Sequence, residues 1–563
     1  MEHSSRSRRL LLGWLLALAL PVFFVFLGAN TVWDTNEAFY VETPRQMVRS
    51  GDYVNPSFNA APRFNKPVLS YWIVAGLYRV FGDSVAVERA GIAVGAVAIA
   101  FAAFLIGRAL RGTATGLLAA LVVATAPRVV WFSRRIFIDV YLTAFTSLAL
   151  AAFVLAVTRP ERRRRYLTFM YIALGLGVLT KGPVAIALPA LVCGLWLVLE
   201  RRLRDIRDLM LLPGLAIVLA IVLPWYIAVY LQHGWPYITT FVFEENFQRY
   251  ATTAMTPGGR DVTFYVPVLL SELFPWGPLV LAPLIGIAVA WRRRLRAEDA
   301  SAGQGLSETR TPIERLLWLW IVTFVVVFSL SQTKEDLYIF PIVPAVAVLV
   351  ASALTDSFER RSRLVNALVL IVAGLCAVVG PAVYWLFGPS AGYYALPEVL
   401  PFAMVIGVTG VLTFVLSVTG RGFAAVACLA AGFIVSNYVF VGWVLVGVER
   451  TKPVPPLARV IAERAVPDAK IGYYHMGLQS FVYYTDRGGV EEIGTLEHAE
   501  AFFKNSREAW ALTGVEQWNL LQARLADVCI ADRRRLSVFE AKLSDIVQRI
   551  PPEEVLLVKN HCN

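Results

Sequence analysis

Residues 33–72 read WDTNEAFYVETPRQMVRSGDYVNPSFNAAPRFNKPVLSYW, a polar stretch with acids and bases that lies between hydrophobic spans. This stretch, termed the first outer loop, is far longer than a simple connection between helices requires. A loop that lies against a membrane can hold carboxylates and a lysine beside lipid head groups. We therefore expect the chemistry of the protein in this loop, and we expect most of the chain to hold it in place.

The composition indicates an integral membrane protein. Of 563 residues, 57% are hydrophobic, only 17% are charged and 15 are tryptophan. The net charge of +11 could suggest nucleic-acid binding, but the arginines cluster beside the ends of apolar runs and are explained as orientation signals. The clusters are Arg6/Arg8/Arg9, Arg108/Arg111, Arg159 to Arg165, Arg201 to Arg207, Arg292 to Arg296 and Arg360 to Arg363.

Mostly apolar runs long enough to cross a bilayer predict about thirteen transmembrane helices. They lie near 10–28, 88–107, 114–130, 140–157, 166–180, 183–199, 210–230, 266–290, 315–330, 336–354, 364–386, 400–418 and 423–446. With a cytoplasmic N-terminus, every arginine cluster falls on the cytoplasmic side, and the odd count puts the C-terminus outside. We predict a mainly α polytopic membrane protein with a transmembrane domain over 1–446 and an exported domain over 447–563.

The exported tail has the composition of a small α/β domain. Strand-like segments are IGYYHMG and SFVYYTD, EHAEAFFKNS has a helical pattern, and REAWALTG and ADVCIAD could add further strands. No catalytic motif is visible in it, so we expect a role in structure or acceptor binding. An oxidising compartment would permit a disulfide between Cys529 and Cys562, although two cysteines do not establish one.

Three lysines lie at the outer ends of different predicted spans. The chain has only eight lysines, and none is cytoplasmic in this topology. Lys66, Lys181 and Lys334 stand in NKP, LTKGP and SQTKEDLY, where three ammonium groups could meet one anion. The alternative is that each lysine reaches to the interface at the end of its helix.

The first outer loop begins with a segment that is amphipathic if helical. Residues 33–47 could form one helix, or a second short helix could begin with Thr43 as N-cap and Pro44 at its first position, ending at Ser50-Gly51. In either case we expect the segment to lie flat on the membrane surface. It could be a simple anchor with solvated charges, but an anchor near an anionic membrane rarely needs so many acids.

Seven motifs, in this order, resemble those of the protein O-mannosyltransferase superfamily of GT-C glycosyltransferases, and the bacterial aminoarabinose transferases of lipid A in particular. The motifs are WDTNEAFYVETPRQMVRSGDYV, PRFNKPVLSYW, SRRIFIDVYLTAF, LTKGPVA, FVFEENFQRY, LFPW and SQTKEDLYIFPIVP. The resemblance implies inverting transfer of a sugar from a polyprenyl-phosphate donor at the outer face of the bacterial inner membrane. The implied acceptor is a lipid A-like or other envelope molecule.

This sequence departs from the family pattern at the position of the expected catalytic aspartate. The family has an Asp-Glu pair in its first loop, and Asn36 and Glu37 stand at that place. An amide cannot act as a general base, so a hydroxyl acceptor would need another carboxylate, with Asp34 and Glu37 nearest. An ionised phosphate acceptor needs no strong base, and Asn36 could then orient it. Asn36 could also mark a degenerate member of the family.

Further site residues follow from the same resemblance. Asp139 matches a family acid that would orient the loop or the acceptor, although an acid at a helix N-terminus is also stabilised by the helix dipole. The residues expected to contact the donor phosphate are Lys66, Lys181, Arg249, Lys334 and Tyr338. The residues expected around the acceptor or the loop are Tyr40, Arg45, Tyr71 and Glu245.

No cofactor and no bound transition metal are expected. The resemblance to aminoarabinose transferases implies a Glu before the Lys-Pro and a His in a later loop, both of which look like metal ligands in that family. In this chain Asn65 and Asn246 stand at those two places. Borderline metals favour imidazole, thiolate and carboxylate over amide groups. The alternatives to a lipid-modifying enzyme are a transporter or flippase of a lipid-linked substrate, and a protein O-glycosyltransferase of the same superfamily.

Overall fold

The computed structural model of the chain is mainly helical, with a large membrane part and a small C-terminal domain. The structure describes residues 2–34, 36–135, 138–241, 251, 260–296 and 311–562. The α-helices of the membrane part are Glu2–Ala19, Asn36–Ser50, Leu69–Phe81, Val85–Arg111, Thr113–Thr125, Pro127–Phe132, Ile138–Thr158, Arg163–Lys181, Val184–Leu199, Leu211–His233, Trp235–Ile238, Tyr265–Glu272, Leu281–Arg296, Pro312–Leu330, Val343–Arg360, Arg363–Phe387, Val399–Val418, Gly422–Val439 and Leu445–Glu449.

The long helices confirm a polytopic membrane protein. Among the described residues, eight helices are long and apolar enough to cross a membrane, or nine if the bent pair Val262–Glu272 and Gly277–Val289 is one span. Every one of the thirteen predicted runs coincides with a helix or a pair of helices. The remaining helices are shorter or carry more charge, so the number of thirteen crossings stays a prediction.

Ion pairs join the helix ends that carry the arginine clusters. Arg111, the last residue of its helix, pairs with Asp356 near the end of another. Arg315, in the first turn of a third helix, pairs with Glu200 just after the end of a fourth. These contacts bring basic helix ends together. The first outer loop contacts the other end of one of these helices, because its Glu37 binds Arg89 near the start of Val85–Arg111.

The first outer loop begins with one continuous helix, the loop helix, which spans Asn36–Ser50. The alternative of a second helix starting at Thr43 is therefore wrong. Pro44 lies inside the loop helix, where it lacks the N–H that would bond to the carbonyl four residues earlier. Thr43 and Pro44 are both buried, and tertiary packing outweighs this local loss. A short hairpin of β1 (Ser57–Phe58) and β2 (Ala61–Pro62) follows.

The C-terminal domain contains a mixed five-stranded sheet. Its strands are β3 (Lys470–Tyr474), β4 (Glu491–Ile493), β5 (Ala509–Gly514), β6 (Val528–Arg535) and β7 (Glu554–Asn560). They lie in the order β4-β3-β5-β7-β6, with β3 parallel to β4 and β5, and with β7 antiparallel to β5 and β6. Its helices are Val454–Arg464, Ser480–Thr485, Leu496–Lys504, Val515–Gln522 and Leu543–Gln548.

Both faces of this sheet are covered, which explains its nearly continuous apolar strands. Along β7, Val555 and Leu557 join one core, whereas Leu556 and Val558 join the other. Successive side chains of a strand point to opposite faces, so two apolar cores require apolar residues at every position.

One predicted strand is wrong. The segment SFVYYTD forms a helix, Ser480–Thr485, termed the docking helix, instead of a strand. Its β-branched and aromatic residues favour a strand by propensity, but its first backbone N–H and the Ser480 hydroxyl both donate to Asp34 of the first outer loop, at 2.7 and 2.6 Å. The helix packs Phe481 and Val482 into one of the two cores, and this tertiary context outweighs propensity.

Further contacts hold the docking helix against the first outer loop. Arg45 of the loop helix donates to the Tyr483 carbonyl at 3.0 Å and its guanidinium lies 4.2 Å from the centre of the Tyr483 ring. Arg49 binds the Asp486 carboxylate at 2.6 Å. The Tyr484 hydroxyl accepts a hydrogen bond from the backbone N–H of residue 32. The loop helix is therefore enclosed between the membrane part and the C-terminal domain.

Cys529 and Cys562 form a disulfide that links the start of β6 to the chain end beyond β7. Changing Cys529 to serine is expected to lower the free energy of unfolding of this domain by about 3–4 kcal/mol, because the bond closes a loop of 33 residues. Thermal unfolding of the full chain, with and without reductant, measures the effect. Reductant should lower the transition of the wild type and leave the variant unchanged; equal transitions for both proteins would contradict the prediction.

Candidate functional site

A cavity of about 570 Å³ brings together most of the predicted site residues that the structure describes. It opens where three helix ends meet the first outer loop. The predicted residues that line it are Asn36, Tyr40, Lys66, Asp139, Lys181 and Tyr338. These residues come from five separate motifs of the sequence, so the fold gathers them into one place.

The central polar contact of the cavity is an ion pair between Asp139 and Lys181. Asp139 lies in the first turn of its helix, and Lys181 is the last residue of another. Each charge therefore lies at the helix end whose dipole stabilises it. The helix of Lys181 stops because Gly182 adopts a φ of 92°, and Pro183 follows. The Lys181 ammonium also lies 5.4 Å from the centre of the Tyr338 ring.

The three outer lysines do not all face this cavity. Lys66 and Lys181 line it, while Lys334 is buried beside it. The Lys334 ammonium donates to the Ser331 carbonyl at 2.6 Å, and its own carbonyl accepts a hydrogen bond from Arg260 at 2.6 Å. The structure thus brings two of the three predicted ammonium groups into one cavity and places the third next to its wall.

The rest of the cavity wall is apolar. Its aliphatic and aromatic residues include Leu142, Val184, Leu188, Phe324, Val327 and Phe328. They come from the helices that also carry Asp139 and from two neighbouring ones. A cavity with cations at one side and such a wall suits an amphiphile with an anionic head group and an apolar chain.

Asn36 and Tyr40 bring the loop helix to the cavity. Asn36 is the first residue of that helix and its side chain is exposed toward the cavity. Tyr40 stacks on Tyr71, with ring centres 5.5 Å apart and planes inclined by 22°. Tyr71 is fully buried, so it holds Tyr40 in place without lining the cavity itself.

Asp34 and Glu37 lie outside the lining of this cavity. The Glu37 carboxylate accepts the backbone N–H of Trp33 at 2.7 Å and two hydrogen bonds from Arg89, at 2.8 and 3.0 Å. The Asp34 carboxylate accepts the two hydrogen bonds from Ser480. Burial raises the pKa of Asp34 above its usual range, even though the bonds from Ser480 lower it. Both acids fix the first outer loop.

The remaining predicted residues have other positions. Arg45 pairs with Glu42 of the same helix and contacts the docking helix. Glu245 and Arg249 lie outside the described residues.

The sequence interpretation missed two residues that matter for the site. Arg89 is fully buried and holds Glu37, while donating as well to the carbonyls of residues 27, 30 and 31. Glu335 lines the cavity and pairs with Arg260 at 3.3 Å. The sequence carries a signal for each residue. For Arg89 it is the Glu-Arg pair at 88–89 beside an apolar run, because burying an ionised side chain there costs free energy unless the charge is paired. Glu335 directly follows Lys334.

Possible metal ligands are sparse in the part of the chain that the structure describes. No group of three or more His, Cys, Asp or Glu there could hold a metal ion. The His233 ring shares a hydrogen bond of 2.7 Å with the Asn55 side chain. Asn246 lies outside the described residues, and the expectation of no bound metal stays a prediction.

Comparisons with known proteins agree with the resemblance of the motifs. The family model described as dolichyl-phosphate-mannose-protein mannosyltransferase matches residues 65–227. An undecaprenyl phosphate-alpha-4-amino-4-deoxy-L-arabinose arabinosyl transferase of Pseudomonas aeruginosa (strain LESB58) is 31% identical over 365 residues, 64% of this chain and 62% of the relative. A second such transferase, from Pseudomonas fluorescens (strain Pf-5), is 28% identical over 405 residues, 70% of this chain and 66% of the relative. These matches thus span just under two thirds of the relatives' lengths.

A solved structure shares the fold over almost the whole chain. The crystal structure of ArnT from Cupriavidus metallidurans bound to undecaprenyl phosphate has a TM-score of 0.75 at 22% identity, covering 97% of this chain and 98% of that chain. The predicted resemblance to GT-C proteins of the aminoarabinose transferase type is confirmed.

Proposed function

We propose that this chain, which resembles the aminoarabinose transferases in sequence and shares their fold, is an inverting glycosyltransferase with a polyprenyl-phosphate sugar donor. The sugar passes to a lipid A-like or other envelope acceptor at the periplasmic face of a bacterial inner membrane. The observation that carries the proposal is the cavity that joins Lys66 and Lys181 with an apolar wall. A polyprenyl phosphate has an anionic head and an apolar tail, and the cavity complements both.

The proposed reaction breaks the bond between the anomeric carbon of the sugar and the donor phosphate oxygen. The leaving phosphate gains negative charge as this bond breaks, and the ammonium groups of Lys66 and Lys181 stabilise that charge. Preorganised cations in a site with apolar walls are worth more in the transition state than solvated ones. Arg249, Lys334 and Tyr338 remain proposed contacts of the same phosphate.

The acceptor decides whether a base is needed. An ionised phosphate attacks the anomeric carbon directly, whereas a hydroxyl must lose its proton to a carboxylate. We place Asp139 before Asp34 and Glu37 as the candidate base because Asp139 lines the cavity, while Glu37 is held by Arg89 and Asp34 by Ser480 of the docking helix. Asn36 orients the acceptor or a sugar hydroxyl.

Changing Asp139 to asparagine is expected to slow transfer to lipid A by less than about tenfold. A general base contributes about 10²–10⁴-fold, and an ionised acceptor phosphate does not require one. The measurement is the transfer rate to lipid A in proteoliposomes that contain a polyprenyl-phosphate-linked sugar. A loss of more than about 10²-fold would identify Asp139 as a required base and would favour a hydroxyl acceptor.

Two parallel variants test the acids of the first outer loop. If Asp34→Asn and Glu37→Gln both keep full turnover, neither acid replaces the expected catalytic aspartate. Thermal unfolding of each variant separates a loss of activity from a loss of structure, because both carboxylates hold the loop in place.

A direct experiment tests the function as a whole. Purified protein in liposomes receives the lipid-linked sugar and lipid A, and mass spectrometry follows both lipids. A glycosyltransferase releases polyprenyl phosphate and adds the mass of one sugar to the acceptor, whereas a transporter or flippase moves the donor across the bilayer unchanged. Mass spectrometry of envelope lipids from cells with and without the protein identifies the sugar and the acceptor.

The proposed topology has thirteen crossings, a cytoplasmic N-terminus, a transmembrane domain over 1–446 and a periplasmic domain over 447–563. The joined basic helix ends support it, since such clusters favour the cytoplasmic side. The Cys529–Cys562 disulfide supports export of the C-terminal domain, because disulfides persist in oxidising compartments. A reporter fused after residue 446 and a second one fused at the chain end would test whether both points lie in the periplasm.

A further inference from the structure

A second cavity, of about 390 Å³, lies between the membrane part and the C-terminal domain. The residues that line it are Trp33, Asp34, Trp131, Arg135, Phe440 and Glu540. Trp33 and Asp34 belong to the first outer loop, and Trp131 and Arg135 lie within or just after the helix Pro127–Phe132. Phe440 begins a π-helical turn, and Glu540 ends a short turn of the C-terminal domain. Turns of the π type within helices occur frequently at functional sites.

The two cavities lie beside each other along the chain. Asp34 lines the second cavity and Asn36 lines the first, so about 7 Å at most separates their Cα atoms. Arg135 lines the second cavity, and Asp139, four residues later in the first turn of the helix Ile138–Thr158, lines the first. A ligand in the second cavity is therefore within reach of the anomeric carbon of a donor held in the first.

The walls of the second cavity differ in chemistry from those of the first. Trp131 packs edge-on against Trp33 and Phe440, with ring centres 5.2 and 5.8 Å away. The Arg135 guanidinium lies 5.1 and 5.4 Å from the two tryptophan rings. Aromatic rings pack on the C–H faces of sugar rings, and planar charged groups bind neighbouring hydroxyls or a phosphate in pairs.

We infer that the second cavity binds the sugar head group of a glycolipid acceptor, with Trp131 and Phe440 against a ring face and with Arg135 and Glu540 on its polar substituents. This inference rests on the proposed glycosyl transfer and assigns the place where its acceptor binds. The apolar wall and the lysines of the first cavity suit the donor, which leaves the second cavity, lined by tryptophans, an arginine and two carboxylic acids, for the second substrate.

The carboxyl of Glu540 fits this role. The surrounding protein and the nearby charge of Asp34 raise the pKa of Glu540 to about 7, while Arg135 lowers it. A carboxyl with this pKa can donate or accept a hydrogen bond near neutral pH, as the hydroxyl and amino groups of sugars require. Glu540 is exposed at the end of a short turn, so its replacement by glutamine should change the stability of the domain little.

The experiment measures donor and acceptor binding separately on the full chain in nanodiscs. The acceptor probe is deacylated lipid A, a phosphorylated glucosamine disaccharide, and the donor probe is undecaprenyl phosphate. Glu540→Gln is expected to weaken binding of the disaccharide and to raise the KM for lipid A by about tenfold, because one hydrogen bond to a charged group is lost. The turnover number and the binding of undecaprenyl phosphate should stay within about twofold, the ordinary effect of a surface substitution.

The control variant is Glu516→Gln, which removes an exposed acid of the same domain that lines neither cavity. It should leave all four quantities unchanged. Binding of a dephosphorylated disaccharide shows whether the cavity recognises the sugar ring or the phosphate.

The possible results test the acceptor site and the proposed function separately. Disaccharide binding that is absent from the wild type, or equal in Glu540→Gln, overturns the acceptor site even if undecaprenyl phosphate binds. A change in donor affinity equal to that in acceptor affinity assigns Glu540 a structural role and also overturns it. Failure to bind undecaprenyl phosphate or to transfer any sugar, with disaccharide binding intact, refutes the proposed function and leaves a glycan-binding site.

Discussion

Replacing Lys181 with methionine is expected to lower the turnover number of sugar transfer by about 10²–10³-fold, the usual loss for one preorganised charge-stabilising group. Methionine keeps the length and the apolar stem of lysine and removes only the ammonium group. That group pairs with Asp139 and lines the cavity proposed for the donor phosphate. Its loss also leaves Asp139 without this counter-ion beside the phosphate, so like charges oppose each other in the transition state.

The measurement is single-turnover transfer in proteoliposomes, together with equilibrium binding of undecaprenyl phosphate. The matched variant is Lys334→Met, because Lys334 lies beside the cavity wall and binds the Ser331 carbonyl. We expect Lys181→Met to reduce the transfer rate more than Lys334→Met does. Equal rates for Lys181→Met and the wild type, in protein that folds normally, would contradict the donor-phosphate assignment.

The second large effect is expected in stability and concerns Arg89. Replacing Arg89 with methionine should lower the free energy of unfolding by about 3–5 kcal/mol, because Glu37 would keep its buried charge without the arginine that neutralises it. The side chains of both residues are almost fully buried, at 2% and 1% exposure. The carbonyls of residues 27 and 30 would lose their Arg89 hydrogen bonds at the same time, and the carbonyl of residue 31 would keep only its bond from Lys452. The segment before the first outer loop would thus lose contacts with the helix Val85–Arg111.

The control for this prediction is an ion pair elsewhere in the chain whose side chains are about one third exposed. Arg111→Met breaks the pair with Asp356, whose side chains are 32% and 34% exposed, and should cost less than about 1 kcal/mol. The double variant Glu37→Met/Arg89→Met should recover most of the stability, since a buried pair can be replaced by apolar residues at little cost. Thermal unfolding in detergent compares all the variants. A small shift for Arg89→Met alone would show that Glu37 is not held as described.

The sequence was sufficient to predict several residues that line one cavity, but not to explain how the parts of that cavity are held. Lys66, Asp139, Lys181 and Tyr338 were predicted from motifs, and they line one cavity. Motifs record which side chains a chemistry needs, and helix ends with Gly or Pro after them indicate where such side chains lie. The transmembrane helices could also be predicted from the sequence, because a helix that crosses a bilayer requires a long apolar segment.

Long-range contacts account for what the sequence could not indicate. Asp34 was a candidate base by its proximity to Asn36, yet its carboxylate binds Ser480, 446 positions later in the chain. That same contact explains why 480–485 is a helix despite strand-forming residues. Nothing local in either segment encodes the other, so neither the role of Asp34 nor the docking helix follows from patterns of neighbouring residues.

The bond from Asp34 to Ser480 has a consequence for how the protein is made. Ribosomes finish residue 480 only after every hydrophobic span has been synthesised, so the loop near the N-terminus waits for the tail before its shape is complete. A chain that is cut short by a premature stop codon would insert in the bilayer and still lack the finished loop. The structure of the loop is therefore complete only when the last-made part of the chain has folded against it.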